Sequence, residues 1–246
     1  MGIGKDAFNA FWTVVSEGAA VSFAHADSSG AFISSATLQD GASDLPWSVF
    51  FDATGRSYAI GMADGPATQA LDLAVYKASL SGDAVESRTL FDSGFANNEL
   101  VFDAKAPGWI VGAAQSAGPA DFEVDGDRSL SMALWRFDPS LGTVESSTIS
   151  SRAGFDFGTG LAVDADGSLW IAGYSARPDA PDIGGLDLAL WHYASDGQTL
   201  LGGPFLKPGY LSDLDGGITA RVHVAADAVY VAATRINGAA GFDVAF

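Results

Sequence analysis

The chain has 246 residues, 48% of them hydrophobic, and its 30 acidic and 12 basic side chains give a net charge of −18. That charge repels nucleic acids and anionic membrane surfaces, and it favours neutral or cationic partners. The chain has no cysteine, which excludes disulfides, thiolate metal sites and cysteine nucleophiles, and no apolar run reaches the roughly 18 residues that a membrane span needs.

The predicted elements repeat along the chain around an Asp-Ala pair. In four copies an aromatic residue follows the aspartate at the same spacing; these are Asp6 and Trp12, Asp52 and Tyr58, Asp103 and Trp109, and Asp164 and Trp170. A fifth, weaker copy has Ala225-Ala226, with Tyr230 one residue early. Apolar residues alternate before each pair, which is typical of a strand packed on a neighbouring sheet.

The clearest copy runs from Gly160 to Gly173 and predicts two strands joined by a tight turn. Asp166-Gly167 is a strong signal for a two-residue hairpin loop, because glycine tolerates the positive φ that such turns need. The residues from Leu169 to Ala172 form a second apolar run that favours a strand. The repeat is therefore built on hairpins, and no segment has the sustained period of a long helix.

A third strand is predicted after each hairpin, and a fourth follows it in four of the five copies. The third is apolar, as in Asp187 to Trp191, and the fourth is more polar, as in Thr143 to Ile149. A repeated four-stranded unit predicts an all-β, five-bladed β-propeller with four-stranded antiparallel blades and an incomplete last blade. We expect a single domain over residues 1–246, with blades at about 1–40, 41–92, 93–150, 151–206 and 207–246. The last copy stops in its third strand, so either the final blade has three strands or the chain is part of a longer propeller.

The segments Asp187 to Trp191 and Gly160 to Gly173 resemble the β-propeller repeats of secreted and surface-anchored bacterial proteins. The copies cover nearly the whole chain. The resemblance implies an extracytoplasmic setting, and it implies no shared catalytic residues. The resemblance is nearly silent on function. The favoured interpretation is a non-catalytic binding module of an exported protein, and the acidic balance favours a neutral glycan or a protein as its partner.

The loops that enter the innermost strands are predicted to share one face of such a propeller, together with the first residues of those strands. Aromatic and acidic side chains there predict a ligand site; the residues are Asp44, Trp47, Glu99, Phe155, Asp156, Tyr210 and Asp213. The alternative for each is a local role, since aspartates often cap turns. Two other functions stay open, a structural scaffold and a glycoside hydrolase, for which Asp44, Glu99 and Asp156 are the candidate carboxylates.

Calcium is the one cofactor that the sequence suggests. Asp121, Glu123, Asp125 and Gly126 match the first positions of a calcium-binding loop, and Asp127 adds a further carboxylate. The twelfth position holds Met132 instead of the bidentate glutamate. The alternatives are a truncated calcium site and a solvated acidic loop without a cofactor.

Overall fold

The structure, a computed structural model, describes residues 2–5, 10–17, 20–39, 45–52, 54–64, 71–92, 99–115, 130–150, 155–176, 186–211, 219–226, 228–236 and 242–245. Within these residues, nineteen strands form five sheets. The described part of the chain contains no helix that is long and apolar enough to cross a membrane. Contacts divide the chain into two compact units, one of residues 1–110 with 136–146 and the other of 111–135 with 147–246.

The first unit contains two antiparallel sheets in which strands that follow one another in the chain are neighbours. The first sheet consists of β1 (Gly2–Lys5), β2 (Phe11–Glu17), β3 (Ala20–Ala26) and β4 (Phe32–Gln39). The second consists of β5 (Leu45–Phe51), β6 (Ser57–Asp64), β7 (Leu71–Ala78) and β8 (Val85–Phe91).

The third sheet has the order β12–β11–β10–β9. Its strands are β9 (Glu99–Lys105), β10 (Trp109–Gln115), β11 (Leu130–Asp138) and β12 (Thr143–Ser150). The third strand of this sheet, β11, is almost wholly buried, whereas the fourth, β12, alternates between exposed and partly exposed residues. This matches the predicted contrast between an apolar third and a polar fourth strand.

The second unit contains the fourth and fifth sheets, which are also antiparallel. The fourth consists of β13 (Asp156–Val163), β14 (Leu169–Ala176), β15 (Leu186–Tyr193) and β16 (Leu200–Leu211). Among the described residues the fifth sheet has three strands, β17 (Ala220–Val224), β18 (Val229–Ile236) and β19 (Phe242–Ala245).

Three site residues that were predicted to lie in loops are in strands, so that part of the prediction is wrong. Trp47 lies in β5, Asp156 begins β13 and Tyr210 lies in β16, which continues beyond the predicted blade boundary at residue 206. The strands are longer because their neighbours are long enough to pair with them. Asp156 pairs with Ser175, and Leu211 pairs with Leu186.

The hairpin of the clearest repeat is confirmed, but its loop has three residues instead of two. The amide of Asp164 donates to the carbonyl of Ser168 at 2.8 Å, and Gly167 adopts a φ of 85°. This is the arrangement in which a type I turn is followed by a residue with positive φ. Gly167 is thus required at the last loop position.

Aspartates cap several of these hairpin turns. Asp27 Oδ1 accepts from the amides of Ser29 and Ala31 at 2.8 and 2.9 Å, and Asp52 makes the same bonds to Thr54 and Arg56. The bonds from Ser29 and Ala31 hold the pKa of Asp27 below its ordinary value. These aspartates therefore have a structural task in the turn.

A β-bulge interrupts the first strand of the second and fourth sheets. The register shifts between Pro46 and Ser48 in β5, and between Gly158 and Gly160 in β13. Each second strand has a glycine close to the bulge, and a Cβ on Gly61 would lie 2.7 Å from the Cα of Pro46. In the fourth sheet Gly173 has the same role. The bulges therefore depend on a close backbone approach that only glycine allows.

The repeated aromatic residues of the second strands pack on side chains of their own or neighbouring strands. Trp12 stacks on His25 at 4.1 Å between ring centroids, and Trp170 stacks on His192 at 3.9 Å. In the third sheet the guanidinium of Arg136 lies 4.8 Å from the ring centroid of Trp109. The second sheet replaces this contact with a stack of Tyr58 on Phe50.

Candidate functional site

Trp47 is the predicted site residue that the structure places most clearly at a surface. It is the extra residue of the β5 bulge, and its side chain is 37% exposed. Its ring forms a T-shaped contact with Phe102, with 5.7 Å between ring centroids and an interplanar angle of 88°. The bulge takes Trp47 out of the regular ladder, and part of its aromatic surface stays exposed beside this contact.

The equivalent bulge residue in the fourth sheet is buried and forms structural hydrogen bonds. Thr159 is fully buried, and its hydroxyl accepts from the amide of Ala220 at 2.7 Å and lies 3.1 Å from the same residue's carbonyl. Gly160 adds to this close approach, because a Cβ there would lie 2.8 Å from the Cα of Arg221. The bulge of β13 thus joins two first strands, whereas the bulge of β5 presents an aromatic side chain.

Glu99 is placed inside the protein. It is the first residue of β9 and is buried. Further along the same strand, the buried Asp103 accepts from the amide of Ala104 at 2.9 Å, from Ser48 at 3.4 Å and from the Lys105 ammonium at 3.0 Å. Asp103 therefore ties β9 to β5 and neutralises Lys105.

Asp156 belongs to a buried polar row that crosses the fourth sheet. Asp156 pairs with Ser175, and Ser175 pairs with Asp187, so the three side chains lie on the same face of the sheet. The two aspartates are 2% and 3% exposed and the serine is fully buried. Phe155, just before the strand, is partly buried and its carbonyl accepts from the amide of Ala176 at 2.7 Å.

Most of the remaining predicted site residues lie outside the part of the chain that the structure describes. Tyr210 lies on β16, while Asp44 and Asp213 are outside the described residues. The predicted calcium ligands Asp121, Glu123, Asp125 and Asp127 are also outside them. Elsewhere in the described ranges, no three His, Asp or Glu side chains are grouped so that they could hold a metal ion.

Sequence reasoning did not identify the partners of Asp156 and Trp47. The sequence pattern places Asp187 in a strand motif and gives no signal that Ser175 or Phe102 belongs to a site. The repeated Leu-Asp start of the third strands was a usable signal, since Asp72 occupies the same place in β7. Burial raises the pKa of Asp72, and the nearby Asp92 adds to the effect.

Comparisons with known proteins connect the chain to propeller structures. No protein-family model matches the sequence, and no curated protein matches it. The chain is similar in structure to a thermostable family-43 glycoside hydrolase, with a TM-score of 0.50 and 11% identity over 95% of this chain and 82% of that one.

Two further similar structures have lower scores. An endo-arabinase from Bacteroides thetaiotaomicron VPI-5482 gives a TM-score of 0.48 and 11% identity over 96% of this chain and 88% of that one. An apocarotenoid oxygenase from Synechocystis gives 0.47 and 10% identity over 94% of this chain, which spans only 54% of the oxygenase.

The likeness to the family-43 hydrolase concerns the fold, because an identity of 11% is too low to carry function. It agrees with the repeated antiparallel sheets and with the absence of helix from the described residues. The chain is an all-β protein of the β-propeller fold, with five blades in its described residues, the last of them incomplete.

Proposed function

We propose that this protein is a non-catalytic binding module and that the exposed ring of Trp47 binds a neutral glycan. The observation that carries the proposal is the contrast between the two bulges. The bulge of β13 is filled by a threonine with a structural hydrogen bond, whereas the bulge of β5 holds a large aromatic residue that is 37% exposed.

The chemistry of the site agrees with a sugar ligand. An aromatic face offers apolar area to the C–H face of a sugar ring, and the indole N–H adds a hydrogen-bond donor. Leu45, two residues earlier, is also exposed and enlarges the apolar surface. Because the protein has a net charge of −18, neutral sugars approach it without electrostatic repulsion.

The test is a neutral-oligosaccharide array followed by titration of the best ligand. Trp47→Ala should weaken binding by roughly tenfold or more, as expected for an aromatic anchor. Phe205→Ala is the matched control, because Phe205 is an exposed aromatic residue on β16, and it should leave affinity unchanged. Equal losses in both variants, or no binding to any neutral glycan, would contradict the proposal.

A glycoside hydrolase is the second candidate, and the Asp156–Ser175–Asp187 row is the observation that favours it. Two strand spacings separate the Cα atoms of Asp156 and Asp187, a distance of about 10 Å. In inverting enzymes the two catalytic carboxyl groups are about 6.5–9.5 Å apart, which is a similar separation. Their burial argues against contact with a substrate. Reducing-sugar release by the wild type that Asp156→Asn abolishes would favour the enzyme over the binding module.

A further inference from the structure

One face of the fifth sheet carries three exposed side chains with polar ends. Alternation along β17 places Arg221 and His223 on the same side. His223 pairs with Tyr230 of β18, so the tyrosine ring is on that side too, with Cβ atoms about 5 Å apart. All three residues are exposed, Tyr230 by 58%. We call Arg221, His223 and Tyr230 the basic face.

The donors of the basic face are largely unused. Arg221 Nη1 donates to the carbonyls of Thr159 and Ala220, the latter at 3.2 Å. These bonds hold the guanidinium in place and leave its other N–H groups open. Among the described residues, the imidazole of His223 and the hydroxyl of Tyr230 have no hydrogen-bond partner, and Arg221 has no carboxylate partner.

The position of His223 is apolar and buried in three other sheets. The residue two places before the Asp-Ala pair, where the fifth copy has His223, is Phe50 in the second sheet, Val101 in the third and Ala162 in the fourth, and all three are buried. The residue that pairs with Phe50 is Tyr58, which is buried as well. At His223 and Tyr230 the fifth sheet therefore has exposed side chains with polar ends where the second sheet has a buried aromatic pair.

The composition of the basic face defines the partner that it fits. A guanidinium forms paired hydrogen bonds with a carboxylate, and arginine and tyrosine are both enriched among residues that dominate binding energy in protein interfaces. A sheet face is flat, which suits an extended segment better than a small molecule that needs a cavity. Arg221 is also one of only 12 lysines and arginines in a chain that has 30 acidic residues.

We propose that the basic face binds an acidic segment of another protein. Arg221 pairs with a carboxylate of that segment, His223 donates a hydrogen bond to it, and Tyr230 packs on an apolar or aromatic side chain beside the carboxylate. This surface is separate from the glycan site proposed at Trp47, and either proposal can fail without the other.

The probe is a fluorescent copolymer of glutamate and tyrosine, measured by anisotropy near physiological salt, where the screening length is about 8 Å and the overall negative charge matters least. We expect the wild type to bind it. Arg221→Met should weaken binding by at least roughly tenfold, and Tyr230→Ala by several-fold, as for interface hot spots. Tyr230→Ala should keep the wild-type melting temperature because the ring is exposed. Arg221→Met should lower it only slightly, because it removes the bonds from an exposed side chain to the carbonyls of Thr159 and Ala220.

Lys207→Met is the matched control, because it removes one positive charge from an exposed position on β16. Its affinity should stay within about twofold of the wild type, as expected for an exposed charge outside the contact. Equal losses in Lys207→Met and Arg221→Met would overturn the proposal in favour of unspecific charge attraction. Polygalacturonate binding as tightly, with the same dependence on Arg221, would replace the protein partner with an acidic glycan. Absence of wild-type binding would also overturn it.

Discussion

The second and fifth sheets carry a tyrosine at the same register position, and the two rings have opposite environments. Tyr58 pairs with Phe50, stacks on it and is 1% exposed. Tyr230 pairs with His223 and is 58% exposed. The repeat therefore fixes the position of the aromatic residue on its strand. Its neighbours on the same face of the sheet determine whether it is buried in the core.

The largest effect should come from truncating the buried tyrosine. Tyr58→Ala should lower the free energy of unfolding by about 3–5 kcal/mol, because a buried aromatic side chain leaves a cavity. Tyr230→Ala should change it by no more than about 0.5 kcal/mol, as for other exposed positions. Urea denaturation of both variants measures the difference. Similar losses would mean that the fifth sheet is packed as tightly as the second.

A smaller effect should follow from adding a methyl group beside the bulge of the second sheet. Gly61→Ala should destabilise the protein by about 1–3 kcal/mol, the usual cost of overpacking, because the new Cβ would meet the backbone of Leu45 and Pro46. The fifth sheet has Ala233 at the same distance from its aromatic residue and no register shift. Tolerance of Gly61→Ala in thermal unfolding would show that the bulge does not need glycine.

The buried face of the second sheet should also give a pH-dependent effect. Burial raises the pKa of Asp72 above its ordinary value of 3.8, so its ionised form destabilises the folded state at neutral pH. Asp72→Asn should therefore stabilise the protein at pH 7, and the gain should vanish as the pH falls below about 3.8. Urea denaturation across this pH range measures the change.

Asp52, in the turn between β5 and β6, provides a control for which the expected change in stability has the opposite sign. Partial burial opposes the effect, but the hydrogen bonds from Thr54 and Arg56 hold the pKa of Asp52 below 3.8. Its carboxylate stabilises the fold above that pH, and the contribution is lost as the pH falls through the lowered pKa. Asp52→Asn should thus destabilise the protein at pH 7. A shift of the same sign for both variants would contradict this account.

Truncation of the exposed aromatic residue of the second sheet should have a small effect on stability. Trp47→Ala removes the edge contact with Phe102, so it should cost about 0.5–1.5 kcal/mol. That is less than the cost at Tyr58, although both residues belong to one sheet. A loss as large as that of Tyr58→Ala would make Trp47 a core residue and remove the proposed glycan site.

The repeat, the strands and the positions of the aromatic residues can be predicted from the sequence alone. Alternation of apolar residues and the Asp-Gly turn are local signals, because they depend on strand geometry and on the positive φ that glycine allows. The predicted third and fourth strands of the clearest copy appear as β15 and β16, and the hairpin at Gly167 forms as expected except for its loop length.

Which repeated positions are buried, and which belong to a site, depends on the tertiary structure. Trp47, Asp156 and Tyr210 lie in strands because neighbouring strands are long enough to pair with them. Asp156 lies beside Ser175 and Asp187 through the register of three consecutive strands. Burial and register depend on what packs across a sheet, and alternation within one strand carries no information about that neighbour.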